Sequence, residues 1–463
     1  MLTYTFEKCS GVSLYEQLYR NIKEDILTGR LSAGEKLPSK RTLSGHLELS
    51  VITVKNAYEQ LIAEGYIYSV EKKGYFVSRI DRPVRVGSVD TLPPNREQQT
   101  YALDLVTNSI SAENFPFTVW SKTMRRTILE QDTGLLQAPP FNGAPELRRA
   151  IAENLQQFRG MTVDPEQIVI GAGTEVLYHI LIQLLGRERV YAVEDPGYGK
   201  IGRIYESNQV PLRRIALDEA GLSATALWQS DADVVHISPS HHYPTGIVMP
   251  IARRQELLRW ANEKAGRYIL EDDYDSEFRF VGRPIPTMFS TDRHQRVIYL
   301  NTFSKTIAPS IRISYMILPP HLLEEYRSRL SFYACTVSSF EQHTLAAFMA
   351  QGRYEQHINR MRNRYRQKRD AVIDAIRTGP LAGRVEIMEQ DAGLHFLLRL
   401  DTQLSDEALR LAAAGKGIRL ALLSDYYYHK NAAPQHVVVV NYSGIELDAL
   451  RDGLARLAEL WED

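Results

Sequence analysis

Cysteine is nearly missing from these 463 residues: there are two, Cys9 and Cys335, far apart and at no metal-ligating spacing. That excludes a disulfide-stapled scaffold and a cysteine zinc site, suits a reducing compartment, and leaves both as expected packing residues. An excess of either charge is missing too. The 55 Lys plus Arg nearly cancel the 56 Asp plus Glu, so no global field draws the chain to nucleic acid, membrane or acidic ligands, and any such preference is local. No hydrophobic run is long enough to cross a bilayer, and the start MLTYTFEKCSG has no basic region leading into an apolar stretch. A soluble, cytoplasmic protein with no membrane partner is expected. There is no internal repeat and no low-complexity tract.

What is present divides in three. The length favours two or three domains. Residues 81–102, DRPVRVGSVDTLPPNREQQTYA, break every periodic pattern with three prolines and a polar cluster, and read as a linker between a domain over 1–80 and one over 103–463. In the first, SLYEQLYRNIKEDILTGRL puts Leu14, Leu18, Ile22, Ile26 and Leu27 on one helix face and ends at Gly29. Ser39 caps a second helix, and Ser50 starts a third with Val54, Ala57, Tyr58 and Leu61 facing inward. YIYSVEKKGYFVSRI then predicts two strands around a basic tip, completing a winged helix-turn-helix of α+β class.

Reading DNA requires polar side chains at an exposed helix start and cations on the flanking phosphates. Ser39, Lys40 and Arg41 open one helix, Ser50 and Thr53 the next, and Lys72, Lys73 and Gly74 form the wing tip. Residues 1–80 carry 11 Lys/Arg against 9 Asp/Glu, so shape and placement support DNA more than charge does. A small protein-interaction domain with a solvated helix is the alternative. LPSKRTLSGHLELSVITVKNAYEQLIAEGYIYSVEKKGYFV resembles the GntR-type winged helix along nearly its whole length. The likeness implies that Ser39, Arg41, Ser50, Thr53 and the Lys73-Gly74 tip face DNA. Where that family has Arg and Asn after the recognition-helix serine, this chain has Val51 and Ile52, which implies fewer phosphate contacts or an apolar contact to a base.

Beyond residue 102, short apolar strands alternate with amphipathic helices, as expected for an α/β fold with a mainly parallel sheet and a C-terminal small subdomain from about residue 330. Five strands end in polar or turn residues (IVIGAGTE, VYAVEDPGY, VVHISPSHHYPTG, YILEDDYDSEF, VIYLNTFSK), and ligands of such sheets bind outside the carboxyl ends of the strands. A nucleophilic lysine there must lose its proton near neutral pH and condense with a carbonyl to form a Schiff base, for which pyridoxal 5'-phosphate is the suited cofactor. Lys305 is the candidate. Gly173 and Thr174 at a helix start, with Thr302, Ser304 and Arg312, supply a phosphate cradle. Asp272 suits the ring nitrogen, Tyr274 on the same strand face the phenolic oxygen, and Tyr198 a stacking surface. Taken singly, each has a plain alternative: a turn, a solvated acid, a core aromatic. His236, His241 and His242 have no acid or cysteine at ligand spacing, so no metal is expected.

Gly-Thr, DPGY, YPTG, Asp-x-Tyr, then SK and Arg after seven, in that order, resemble the fold-type I aminotransferases over residues 103–463. The likeness implies Lys305 as the Schiff-base lysine, Asp272 on the ring nitrogen, Tyr274 on the phenolic oxygen, Tyr198 stacked, and Thr302, Thr174 and Arg312 on phosphate. There are departures. Tyr243 replaces an asparagine partner of the phenolic oxygen, Glu175 follows the cradle, and Val439 stands where aminotransferases carry an arginine for the substrate carboxylate. The winged helix joined to this domain resembles the MocR/GabR regulators; in the GABA-responsive members an arginine two residues after the stacking tyrosine helps hold the effector's carboxylate, Lys200 stands in that place, and Lys200 and Tyr243 are the expected effector contacts. The resemblance implies a homodimeric, DNA-binding regulator on repeated half-sites that responds to an amine or amino acid, or to pyridoxal phosphate itself. An active aminotransferase carrying a DNA-binding head and a non-catalytic scaffold are the competing readings.

Overall fold

The computed structural model describes residues 2–6, 12–80, 101–108, 112–280, 285–389, 391 and 393–461. These belong to two units, Met1–Gln98 and Gln99–Asp463. Residues 81–100 of the expected linker and Cys9 lie outside the described residues.

In the first unit α1 (Leu14–Thr28), β1 (Lys36–Leu37), α2 (Lys40–Leu47), α3 (Val51–Ala63), β2 (Ile67–Val70) and β3 (Gly74–Val77) follow in order, the strands pairing β1-β3-β2. The helix starts follow their caps: the Ser39 side chain accepts from the Thr42 N–H and that of Ser50 from the Thr53 N–H. Leu18, Ile22 and Ile26 of α1 meet Val54, Ala57, Tyr58 and Leu61 of α3 in one core. Leu14 and Leu27, expected on the inward face, are instead exposed. Leu27 lies about 100° round the helix from Ile26, and Leu14 occupies the first turn, at the edge of that core.

The second unit opens with β4 (Leu103–Asp104), α4 (Phe117–Gln131) and α5 (Pro145–Arg159). It continues through β5 (Ile168–Gly171), α6 (Thr174–Leu185), β6 (Tyr191–Asp195), α7 (Gly199–Ser207), β7 (Leu212–Asp218), β8 (Gly221–Leu222), α8 (Ala224–Gln229) and β9 (Val234–Ile237). Then come α9 (Ile251–Glu263), β10 (Tyr268–Asp273), α10 (Met288–Thr291), β11 (Val297–Thr302), β12 (Ser314–Ile317) and α11 (Pro320–Leu330). The sheet order is β5-β12-β11-β10-β9-β6-β7-β8. Strands β11, β10, β9, β6 and β7 run parallel, while β12 and β8 are antiparallel to their neighbours. Every residue of β5, β9, β10 and β11 is buried, which is what helices on both faces of a parallel sheet require. Since β5 is antiparallel to β12, which is antiparallel to β11, all five polar strand ends point to one edge.

The chain then forms α12 (Ser339–Ala350), α13 (Arg353–Thr378), β13 (Val385–Met388), β14 (His395–Leu400), α14 (Asp406–Gly415), β15 (Ile418–Arg419), β16 (Val437–Asn441) and α15 (Leu447–Ala458). Strands β13-β14-β16 form an antiparallel sheet whose core includes Met361, Phe396, Val438 and Leu454. Residues from far earlier join this lobe: Leu103 and Leu105 lie in its core, β4 pairs with β15, and the Ala102 N–H bonds the Gly417 carbonyl at 2.8 Å. Leu103 packs so closely on Gly453 that a Cβ there would come within 2.6 Å of it.

Candidate functional site

The run Glu271-Asp272-Asp273 on β10 divides by strand alternation. Glu271 accepts the N–H groups of Met288 and Phe289, both at 2.9 Å, and Asp273 takes the Tyr299 hydroxyl at 2.7 Å and the Arg159 guanidinium. Asp272 points to the other face. There Oδ2 accepts from the Tyr178 hydroxyl at 2.6 Å and faces His236 Nε2 at 3.4 Å, while Oδ1 is buried with no hydrogen-bond partner. Burial and the Asp272 charge together hold the Tyr178 phenol far above its ordinary pKa, so it remains a donor. Tyr274, one residue beyond the end of β10, is partly buried and lies 3.2 Å from His241 Nδ1.

Lys305 follows β11 in a turn closed by the Ile307 N–H on the Phe303 carbonyl at 2.8 Å, with Phe303, Thr306 and Ile307 buried beneath it. Its amine is pulled below its usual pKa by burial, against which Asp275 partly supports the charged form. Thr302 at the strand end receives the Ser314 hydroxyl at 2.8 Å and the Ser304 N–H at 3.1 Å.

Gly173 starts α6 at φ 95°, a backbone conformation that favours glycine, and a Cβ there would lie 2.1 Å from Arg312 Nη2. Thr174 is the first residue of that helix. Arg312 pairs with Glu175 at 2.6 Å, and Glu175 also pairs with Lys200 of α7. Glu175 is thus offset by two cations, and its carboxyl is held below the usual range first by Lys200 and then, against burial, by Arg312. Tyr198, N-terminal to α7, is half exposed with its ring edge-to-face against Tyr243, and the Tyr243 hydroxyl bonds that of Tyr426 at 2.7 Å. Val439 lies on β16, wholly buried with Leu397, Leu423 and Val437.

Sequence reasoning missed Tyr178, four residues along α6 from Thr174, and the roles of His236, His241 and Asp275, which meet their partners across the sheet. His236 lies between Tyr205 and Asp272, His241 on Asp275, and His242 on Thr245 and near Glu194, whose carboxyl burial pushes up to about 8.

In the first unit Arg41, Lys72 and Lys73 are exposed, and Lys72 (φ 58°) and Gly74 (φ 115°) shape the turn between β2 and β3. Lys40 turns back, its ammonium 5.3 Å from the Tyr75 ring centroid. The Ser50 and Thr53 hydroxyls bond each other at 2.7 Å while Ser50 caps the helix, and the Ser39 hydroxyl is likewise occupied with Thr42. What projects at the start of α3 is apolar: Val51 is exposed and Ile52 is 69% exposed.

Comparison with known proteins matches residues 14–77 to bacterial regulatory proteins of the gntR family and residues 102–434 to aminotransferase class I and II. The chain is 38% identical to the uncharacterized HTH-type transcriptional regulator YdeL of Bacillus subtilis, covering 100% of this chain and 99% of that one. It is 31% identical to the probable rhizopine catabolism regulatory protein MocR of Rhizobium meliloti, covering 97% and 94%. In fold it is similar to the kynurenine aminotransferase of Pyrococcus horikoshii, with a TM-score of 0.69 and 24% identity over 79% of this chain and 91% of that one.

Proposed function

The chain belongs to the MocR/GabR-type transcription regulators, a GntR winged helix joined to an aminotransferase-like unit, and from that premise we propose that the second unit binds pyridoxal 5'-phosphate on Lys305 and senses an amine, an amino acid or the cofactor itself. The observation that carries the reading is the buried, partnerless Asp272 Oδ1, on the same sheet edge as a lysine whose amine is biased toward its neutral form. A carboxylate oxygen without a donor is costly in a protein interior, and a protonated pyridine nitrogen is a donor of the right chemistry. The cradle fits as well: Gly173 leaves room for the Arg312 guanidinium beside the first turn of α6, with the Thr302 and Ser304 hydroxyls at the end of β11. When bound, the cofactor supplies a carbonyl that condenses with primary amines. Lys305 is then its tether, Asp272 the anion on its ring nitrogen, Tyr274 the donor to its phenolic oxygen and Tyr198 the aromatic surface against it.

The buried valine at 439 supports sensing over turnover, because an apolar floor offers a substrate carboxylate no bidentate partner. For a ligand to change DNA binding it must prefer one state of the protein over another. A homodimer on repeated half-sites is part of the proposal, and the exposed Leu129, Leu136 and Phe332 support self-association. The test is an absorption spectrum of the purified chain supplied with pyridoxal phosphate. A visible band that is lost in Lys305→Ala is expected; a wild-type protein that stays colourless sinks the reading. Steady 2-oxo acid production from an amine panel would favour an active aminotransferase instead.

A further inference from the structure

Resting on that reading, we propose that His241 and Asp275 form a buried relay that orients the Tyr274 hydroxyl, leaving its proton free for the cofactor's phenolic oxygen in place of the donor lost at position 243. His241 Nδ1 lies 2.9 Å and 3.2 Å from the two Asp275 carboxylate oxygens. A carboxylate only accepts, so Nδ1 carries the hydrogen. That one hydrogen is shared: the Tyr274 oxygen, 3.2 Å from the same nitrogen, is a second acceptor for it, and the Tyr274 proton cannot go to that nitrogen. The imidazole is fixed in place. Gly393 (φ 68°) passes so close that a Cβ there would fall 1.8 Å from His241 Cε1, and the His395 ring centroid is 4.6 Å away.

Tyr243, in the family's asparagine position, is engaged with Tyr426, the two hydroxyls bonding at 2.7 Å with either one donating, whereas the Tyr274 proton has no acceptor on His241 Nδ1. Among the described residues, the charged and titratable groups around the relay are Tyr274, His395, His242, Lys305, Arg159, Arg279 and Tyr442, with Tyr243, Asp272 and Glu194 acting on Tyr274. His241 and Asp275 are positioning residues, acting through Tyr274.

The full chain loaded with pyridoxal phosphate tests this through the pH midpoint of its visible band. A proton from Tyr274 stabilises negative charge on the phenolic oxygen, which is greatest at high pH, so losing it raises the midpoint. His241→Phe is expected to raise it by about one unit, the scale of one hydrogen bond to a charged group. In a Tyr274→Phe background the same substitution moves it by less than half as much. Asp275→Asn is the second variant and decides the matter if His241→Phe does not fold. It must leave the midpoint higher, relative to its parent, in the Tyr274 protein than in the Tyr274→Phe protein. Loss of the Asp275 charge alone would lower both backgrounds equally, because that charge favours protonated Lys305. Equal shifts in the two backgrounds, or none, overturn the relay while leaving the cofactor reading intact. A colourless wild type overturns both.

Discussion

Glu175→Gln asks whether the carboxylate beside the cradle opposes or assists the binding of a phosphate. Glu175 holds Arg312 at 2.6 Å and also pairs with Lys200. A phosphate dianion at the start of α6 competes for the same cations and is repelled by the same carboxylate. The Arg312, Lys200 and Glu175 side chains are 47%, 51% and 32% exposed, so each pair is worth only about 0–1 kcal/mol. Deleting the charge releases both cations and one repulsion, a gain of about 1 kcal/mol or roughly fivefold in the Kd for pyridoxal phosphate. The assay is a titration of the full chain followed by visible absorbance at low salt and at about 0.5 M salt, where screening should cut the gain to about twofold. Weaker binding by Glu175→Gln would refute the reasoning. It would mean that the carboxylate holds Arg312 in place for the phosphate instead of competing with it.

Lys305→Met should raise the Tm of the cofactor-free protein at pH 7. The lysine's folded pKa lies below its ordinary 10.5, so protonation disfavours the folded state fully below the folded pKa, and the cost fades as pH rises toward 10.5; the Tm gap must narrow over that range. Ser50→Ala removes the cap on α3 and should cost about 1 kcal/mol, lowering the melting of the first unit by several degrees in calorimetry. With duplexes selected from a random library, replacing a thymine read by Ile52 with uracil should weaken binding about fourfold, since only a methyl is lost, and Ile52→Ala should erase the difference. Equal binding of thymine and uracil duplexes at every position would exclude an apolar base contact.

Much of this was legible because the signals were local. Strand alternation put Asp272 and Tyr274 on one face of YILEDDYD, and the same alternation separates Asp272 from Glu271 and Asp273, whose partners are structural. The serine before each of α2 and α3, and the EKKG turn, marked the winged helix. What stayed hidden depends on contacts distant in sequence. Nothing near Asp272 announces Tyr178, which arrives from α6, and nothing in SHHYPTG says that His241 will meet Asp275. The serines before α2 and α3 are read both as helix starts and as facing DNA; the structure shows the first, each hydroxyl accepting a backbone N–H of its own helix.

The anchoring of residues 102–105 has a mechanical consequence. The polypeptide leaves the DNA-reading head and is stitched first to β15 and β16, through Ala102 on Gly417, Leu105 on Arg419 and Asn441 on Leu105. Only later does it enter the large sheet that carries Lys305. The C-terminal lobe therefore closes on the second unit's first residues, and pulling residues 102–105 free would break that lobe's own backbone bonds.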